Sequence, residues 1–286
     1  MKLSVEPSGQ SCGALVRGVD LTRPMTDAEI AEVRSVWLAH QVIAFPDQKM
    51  AIEDLERFAL TVGPYGDDPY LASMPGHKHV VELRREPEET TAIFAESWHS
   101  DWSFMPSPPV GTALLGSVIP PTGGDTLYAN QYAAFDALSA SMKNRIEGLM
   151  GIHSARRGYA PTGLYGDADR EKGRSMRILS GDSAMKTQSH PLVRTHPETG
   201  RKALFCSAAY TIGVEGMPED EATGLLDELF AHQVRSEFHY VHKWQPDMLT
   251  LWDNRCLLHR ATGGYQGHRR LLYRITISER PGNRPH

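Results

Sequence analysis

The chain has 286 residues, 40% of them hydrophobic and 23% charged, with a net charge of −5 and a sequence pI near 6.2. That is enough for a domain with a sizeable core, and no Lys/Arg block gives the footprint of a nucleic-acid binder. No apolar run approaches the roughly 18–20 residues that cross a bilayer, the N-terminal stretch lacks a secretory apolar segment, and Cys12, Cys206 and Cys256 are too scattered for a disulfide framework or thiolate cage. A cytoplasmic protein with neither a membrane nor a nucleic-acid partner is expected.

A strand is predicted at 14–19, followed by a helix from Thr26 to about His40, where Thr26 with Glu29 three residues on forms a capping box. A short buried strand at 42–45 precedes a helix at 52–62. Strand-like segments recur at 78–83, 110–118, 126–128, 193–196, 203–207, 236–242, 249–252 and 271–278, between turns such as PPTGGD and HPETGR. Helices interrupt them at 132–148 and 218–232, the second opening on an acidic PEDE turn that suits a helix N-terminus. The polar, Gly- and Arg-rich stretch 151–185 reads either as an active-site lid or as an unstructured loop. Many short strands with few helices predict a mainly β fold with helical insertions and a jelly-roll (double-stranded β-helix) core, in a single domain over 1–286.

In an extended segment residues i and i+2 share a face. His99 and Asp101 of ESWHSDWSF then stand side by side, with Ser100 turned away. Two histidines and one carboxylate form the ligand set of a non-haem Fe(II) site with open coordination positions. A strand histidine bonded to a neighbouring Asp is the ordinary alternative. The third ligand must come from another strand, and His259 in WDNRCLLH offers it. Arg270 and Arg274 follow eleven and fifteen residues after His259 and alternate with apolar residues along one strand. Both face one side, and a buried guanidinium needs an anion, either an internal Asp or Glu or a bound carboxylate. No Ser/His/Asp or Cys/His arrangement is supported, and His190, His196, His239 and His242 read as structural.

H-x-D, then GGDT at 123–126, then W-D-N-R-x3-H with an arginine eleven beyond the histidine, resembles the family of taurine and 2,4-dichlorophenoxyacetate dioxygenases. GVDLTRPM, HQVIAF and HPLVRTHPETGRKALF extend the resemblance over nearly the whole chain. It implies an enzyme that depends on Fe(II), 2-oxoglutarate and O2, hydroxylates a small anionic organic molecule, and releases succinate and CO2. Hydroxylation beside a heteroatom then breaks a C–S, C–O or C–N bond. By the same resemblance His99, Asp101 and His259 are the iron ligands, and Thr126 and Arg270 hold the distal carboxylate of 2-oxoglutarate. Arg274 lies near the substrate anion, and Trp98, Tyr159 and Tyr210 line the pocket. A dimer or tetramer of identical chains is implied as well.

Two positions depart from the taurine enzymes: Asp68 stands where they have a histidine before a proline, and Ala95 where they have an asparagine that meets the amine. A carboxylate at 68 repels a sulfonate unless it turns to solvent. The expected substrate is therefore not taurine but another alkyl sulfonate or sulfate, or an aryloxyalkanoate or similar carboxylic acid, with specificity set by the 65–70 loop and the 156–165 segment. Two other classes compete, a catalytically silent metal-binding sensor and a zinc hydrolase using two His and one Asp. Neither needs the Thr126/Arg270 clamp.

Overall fold

The computed structural model describes residues 3–280, which are mostly sheet with helices. Strands β1 (Ser4–Pro7) and β2 (Ala14–Arg17) form a hairpin, and α1 (Asp27–His40) leads on to β3 (Val42–Phe45). The Thr26 hydroxyl accepts the Glu29 N–H at 3.3 Å, and the Glu29 carboxylate accepts the Thr26 N–H at 2.8 Å. That is the expected capping box, which satisfies two N–H groups the helix leaves unpaired. Helix α2 (Ile52–Val62) buries Leu55, Phe58, Ala59 and Val62, an i, i+3, i+4, i+7 face. Full burial of a Leu or Phe in such a face contributes about 1.5–3 kcal/mol.

Next come β4 (Ser73–Met74), β5 (His77–Arg85), β6 (Gly111–Val118) and β7 (Thr126–Asn130). The one helix expected at 132–148 is two, α3 (Gln131–Asp136) and α4 (Ala140–Ile146). The break falls at Ser139, whose hydroxyl accepts the Met142 N–H at 3.2 Å and caps α4. The stretch at 151–185 is structured. It carries most of β8 (Met150–Ser154), α5 (Arg156–Tyr159), α6 (Asp167–Arg170) and a 3-10 turn at Asp182–Met185. An Arg174–Asp169 ion pair of 2.6 Å and a Tyr70–Tyr159 ring stack hold it. These contacts leave no apolar period in the sequence, which is why the order was hidden.

The rest of the chain is β9 (Thr187–Pro191), β10 (Val193–Thr195), β11 (Lys202–Leu204), β12 (Thr211–Val214), α7 (Glu219–Gln233), β13 (His239–His242), β14 (Met248–Asp253), β15 (Leu257–Ala261) and β16 (Arg270–Ile277). The largest sheet runs β1-β2-β3-β14-β6-β16-β5-β4, and a smaller one runs β13-β7-β15. Leu249 and Leu251 of β14 join Val33, Trp37, Leu55 and Phe58 beneath α1 and α2. Trp252, on the opposite face, joins Leu114 and Leu272 in packing against Tyr128, Tyr240 and Leu257 of the smaller sheet. With both faces covered, the central strands read as continuous apolar runs such as VIAF rather than as alternation. The candidate site lies between these two sheets. No helix among the described residues is long and apolar enough to cross a membrane.

Candidate active site

His99 and His259 are joined backbone to backbone, the His99 N–H donating to His259 O at 3.0 Å and the His259 N–H to His99 O at 2.8 Å. This bridge puts the H-x-D segment against β15. The extended path does not continue to Asp101, because Trp102 has a φ of 44° and the chain turns there. Asp101 thus reaches the histidines through a turn rather than by strand alternation. Positive φ at a bulky residue is strained and persists only where the surroundings impose it. Here the Trp102 indole donates to Asp68 Oδ1 at 2.9 Å and lies under the Arg274 guanidinium at 5.1 Å. Asn254 braces the same turn, its carbonyl accepting the Ser100 hydroxyl at 2.7 Å.

The Nε2 atoms of His99 and His259 each lie 3.7 Å from Asp101 Oδ1. The three side chains are buried, and one donor atom from each falls within 4.8 Å of the others. His99 Nδ1 donates to Ser97 O at 2.8 Å, which puts the proton on Nδ1 and leaves the Nε2 lone pair free. Burial pushes the His99 pKa down against the opposing Asp101 charge, and burial with the nearby His99 lowers His259 to about 3. Burial disfavours the Asp101 carboxylate, but Arg274 and the two histidines outweigh it and hold the pKa well below the usual range. The Thr112 hydroxyl donates to Asp101 Oδ2 at 2.6 Å. Two neutral imidazoles and an ionised carboxylate around one point fit a divalent metal.

A cavity reaches His99, His259, Thr126, Trp252, Arg270 and Arg274. Arg270 donates from Nη2 to Gly124 O at 3.1 Å, while its buried Nε finds no partner. No carboxylate lies within ion-pair distance of it among the described residues. Burial lowers its pKa. The Thr126 hydroxyl accepts the Trp244 indole N–H at 3.0 Å, so its own proton is free to donate. The glycines of GGDT make room for this arrangement. A Cβ on Gly124 would sit 3.1 Å from Arg270 Nε, and one on Gly123 would sit 2.6 Å from the Gly264 backbone.

Arg274 stands in a different setting. Its Nη2 is 3.0 Å from Asp101 Oδ1 and its Nε 3.3 Å from Asp68 Oδ1. Asp68 does not turn to solvent. It is buried, and its other oxygen accepts the Thr276 hydroxyl at 3.0 Å. Burial pushes the Asp68 pKa up against the opposing Arg274 charge. Its hydrogen-bond partners, the Trp102 indole and the Thr276 hydroxyl, both donate to it, while the nearby Asp101 charge opposes its ionisation.

A second cavity also reaches His99 and Ala95, between Tyr159, Tyr165, Tyr210 and Arg157. The Tyr210 ring meets the His99 ring edge-on at 6.0 Å. Burial raises both the Tyr159 and Tyr210 phenols, so these walls are neutral at neutral pH. Trp98 lines neither cavity and packs on His239 at 5.1 Å beneath Arg260. His196 donates through Nε2 to Asp253 at 3.0 Å and accepts backbone N–H groups at Nδ1, a structural role. The sequence reading missed Thr112 and the turn at Trp102, whereas Arg157 and Tyr165 fall in the 156–165 segment expected to set specificity. Asn254 was in view within WDNR, but its bracing role was not.

Residues 4–276 match the model of the family described as "Taurine catabolism dioxygenase TauD, TfdA family". The chain belongs to this family. It is 32% identical to the alpha-ketoglutarate-dependent 2,4-dichlorophenoxyacetate dioxygenase of Cupriavidus pinatubonensis, over 96% of this chain and 98% of that one. It is 28% identical to the alpha-ketoglutarate-dependent sulfate ester dioxygenase of Pseudomonas putida, over 97% of this chain and 90% of that one. The solved structure of AAD-2 in complex with Mn(II) and N-oxalylglycine superposes with a TM-score of 0.78 at 31% identity, covering 97% of this chain and 98% of that one. The TauD/TfdA chain described here is accordingly an oxidoreductase, a dioxygenase that uses Fe(II), 2-oxoglutarate and O2.

Proposed function

We propose that His99, Asp101 and His259 hold the Fe(II), and that Thr126 and Arg270 hold the distal carboxylate of 2-oxoglutarate. The prime substrate is a small organic anion of the sulfonate, sulfate-ester or aryloxyalkanoate kind, as the substrates named for the relatives suggest. The observation that carries the reading is Arg270, a buried cation with no carboxylate partner among the described residues, in a cavity that also reaches two of the three metal-binding side chains. A buried unpaired guanidinium is unfavourable by several kcal/mol until an anion joins it. A doubly bonded carboxylate is the match for its fork of donors.

The loaded centre supplies oxidative decarboxylation of 2-oxoglutarate to succinate and CO2, coupled to hydroxylation of a substrate C–H bond. The chain's own groups orient and exclude. Ser97 O fixes the His99 ring, Thr112 and Arg274 fix Asp101, and Tyr159 and Tyr210 keep water from the side where the substrate stands. Hydroxylation next to sulfur, oxygen or nitrogen would release the fragment beyond it. The two sheets would form a double-stranded β-helix in one domain, with 151–185 as a lid over the site, in a cytoplasmic homo-oligomer. The alternatives of a silent sensor and a zinc hydrolase leave Arg270 without a purpose. The test is succinate release from metal-free protein reconstituted with Fe(II), 2-oxoglutarate and O2. Release that needs all three supports the reading, and indifference to 2-oxoglutarate contradicts it.

A further inference from the structure

Arg270 and Arg274 both line the cavity that reaches His99 and His259. 2-Oxoglutarate carries two carboxylates, and a guanidinium attracts either of them. The cavity has to hold that dianion by Arg270 and still keep Arg274 for the anionic group of the prime substrate. The two arginines must therefore pull on anions unequally.

Asp68 supplies the inequality. Its Oδ1 lies 3.3 Å from Arg274 Nε, and its side chain is only 8% exposed. Arg274 Nε makes no hydrogen bond in this geometry, so the carboxylate acts through its charge. It is fixed in place by the Trp102 indole at 2.9 Å and the Thr276 hydroxyl at 3.0 Å. The loop that carries it is fastened along β16. The Gly66 N–H donates to Thr276 O and the Ser278 N–H to Pro64 O, both at 2.8 Å. A Cβ on Gly66 would lie 2.9 Å from Thr276 Oγ1, so the contact is close. Asp68 lines neither cavity and meets no ligand directly. Asp101 serves the metal once the site is loaded, which leaves Asp68 as the carboxylate beside Arg274 among the described residues. A fixed carboxylate next to a guanidinium weakens its attraction for every anion without abolishing it. A substrate with an aromatic or alkyl body makes up the difference by contact with Tyr159 and Tyr210, which stand close enough to act on the Arg274 charge. A second 2-oxoglutarate brings little besides its charges.

We propose that Asp68 is a specificity-determining residue. It weakens the pull of Arg274 on anions, so that the dicarboxylate settles on Arg270 and the Arg274 end of the cavity is kept for an anion with an apolar body. This rests on the reading of Arg270 as the 2-oxoglutarate clamp and of Arg274 as the neighbour of the substrate anion, and it adds the group that keeps the two apart.

The test uses the full chain loaded with Mn(II), without oxygen, and follows binding by calorimetry with metal content as the control for folding. Wild type is expected to bind one equivalent of 2-oxoglutarate. Asp68→Asn keeps the size of the side chain, removes its charge, and is expected to bind a second equivalent. Benzenesulfonate and its neutral counterpart, methyl phenyl sulfone, are then titrated into protein carrying one equivalent of 2-oxoglutarate. Asp68→Asn is expected to strengthen the sulfonate roughly tenfold or more and the sulfone less than about twofold. Adding Arg274→Met to Asp68→Asn should remove both gains. Three outcomes overturn the proposal: wild type binds two equivalents, either gain is missing in Asp68→Asn, or the gains survive Arg274→Met. Failure of the cosubstrate reading shows separately, as a first equivalent that Arg270→Met leaves unweakened.

Discussion

Arg270 and Arg274 lie four residues apart on β16, both buried and both reaching one cavity, yet they stand in opposite electrostatic states. Arg274 has carboxylates at 3.0 and 3.3 Å, whereas Arg270 has a single backbone carbonyl at 3.1 Å. At such distances and an effective dielectric of about 20, one ion pair carries roughly 5 kcal/mol of gross attraction. Much of that offsets desolvation. Arg274 has two carboxylates to offset its desolvation, although its Nε and Nη2 meet them outside hydrogen-bond geometry. Arg270 recovers it only when an anion arrives. The same residue type, on the same face of one strand, is ion-paired in one place and without a carboxylate partner, among the described residues, in the other. What separates them is the presence of Asp68.

The largest effect should come from the centre that both arginines flank. His259→Ala removes one of three donors, and we expect loss of tight metal binding and a drop in succinate formation of roughly a thousandfold or more. Metal content after dialysis and a turnover assay check it. If the variant keeps stoichiometric metal, His259 is not a ligand.

Next in size is the Asp68–Arg274 pair. Arg274→Met strands two buried carboxylates, and the expected loss is about 3–5 kcal/mol of stability by denaturant unfolding. Adding Asp68→Asn should return part of that loss, because the removed charge no longer needs its partner. Additive losses would mean that the two side chains do not interact and that the contrast with Arg270 is wrong.

Away from the site, Asp253 provides a reference for what a purely structural pairing does. Burial opposes its ionisation, but Arg255 and the hydrogen bonds from Arg255 and His196 prevail and lower its pKa. A carboxylate with a depressed folded pKa contributes stability that is present above its unfolded value of about 4 and is lost as pH falls below it. Asp253→Asn should therefore flatten the acid limb of the stability profile. An unchanged limb would remove Asp253 from the account.

The smallest effect concerns Ala95, which borders both cavities at a φ of 61°. Ala95→Gly should raise stability by about 0.5–1 kcal/mol, because glycine adopts this conformation without strain. A thermal melt that falls instead would show that the alanine methyl contributes packing worth more than the strain.

Much of this arrangement could be read from sequence, for identifiable reasons. The Thr26/Glu29 box and the apolar face of α2 are local patterns and gave their helices to within a residue or two. H-x-D, GGDT and W-D-N-R-x3-H named the side chains that the fold gathers at the cavity. Three things were not legible. Trp102 turns the chain at positive φ, which no propensity predicts for a tryptophan. The 151–185 segment is held by Arg174, Asp169 and stacked tyrosines rather than by periodicity. Asp68 was expected to repel a sulfonate unless it turned to solvent. Its burial against Arg274 depends on a contact 206 positions away in the chain, which only the folded chain reveals.

The most direct test of the account is 2-oxoglutarate affinity, measured by anaerobic titration of Mn(II)-loaded protein. We predict that Arg270→Met weakens it by roughly a hundredfold, as expected for loss of a charge-assisted bidentate partner. The Asp68→Asn/Arg274→Met double variant should stay within about threefold of wild type, since that pair is compensated internally. Equal losses in both variants, or none in Arg270→Met, would contradict the division of labour between the two arginines.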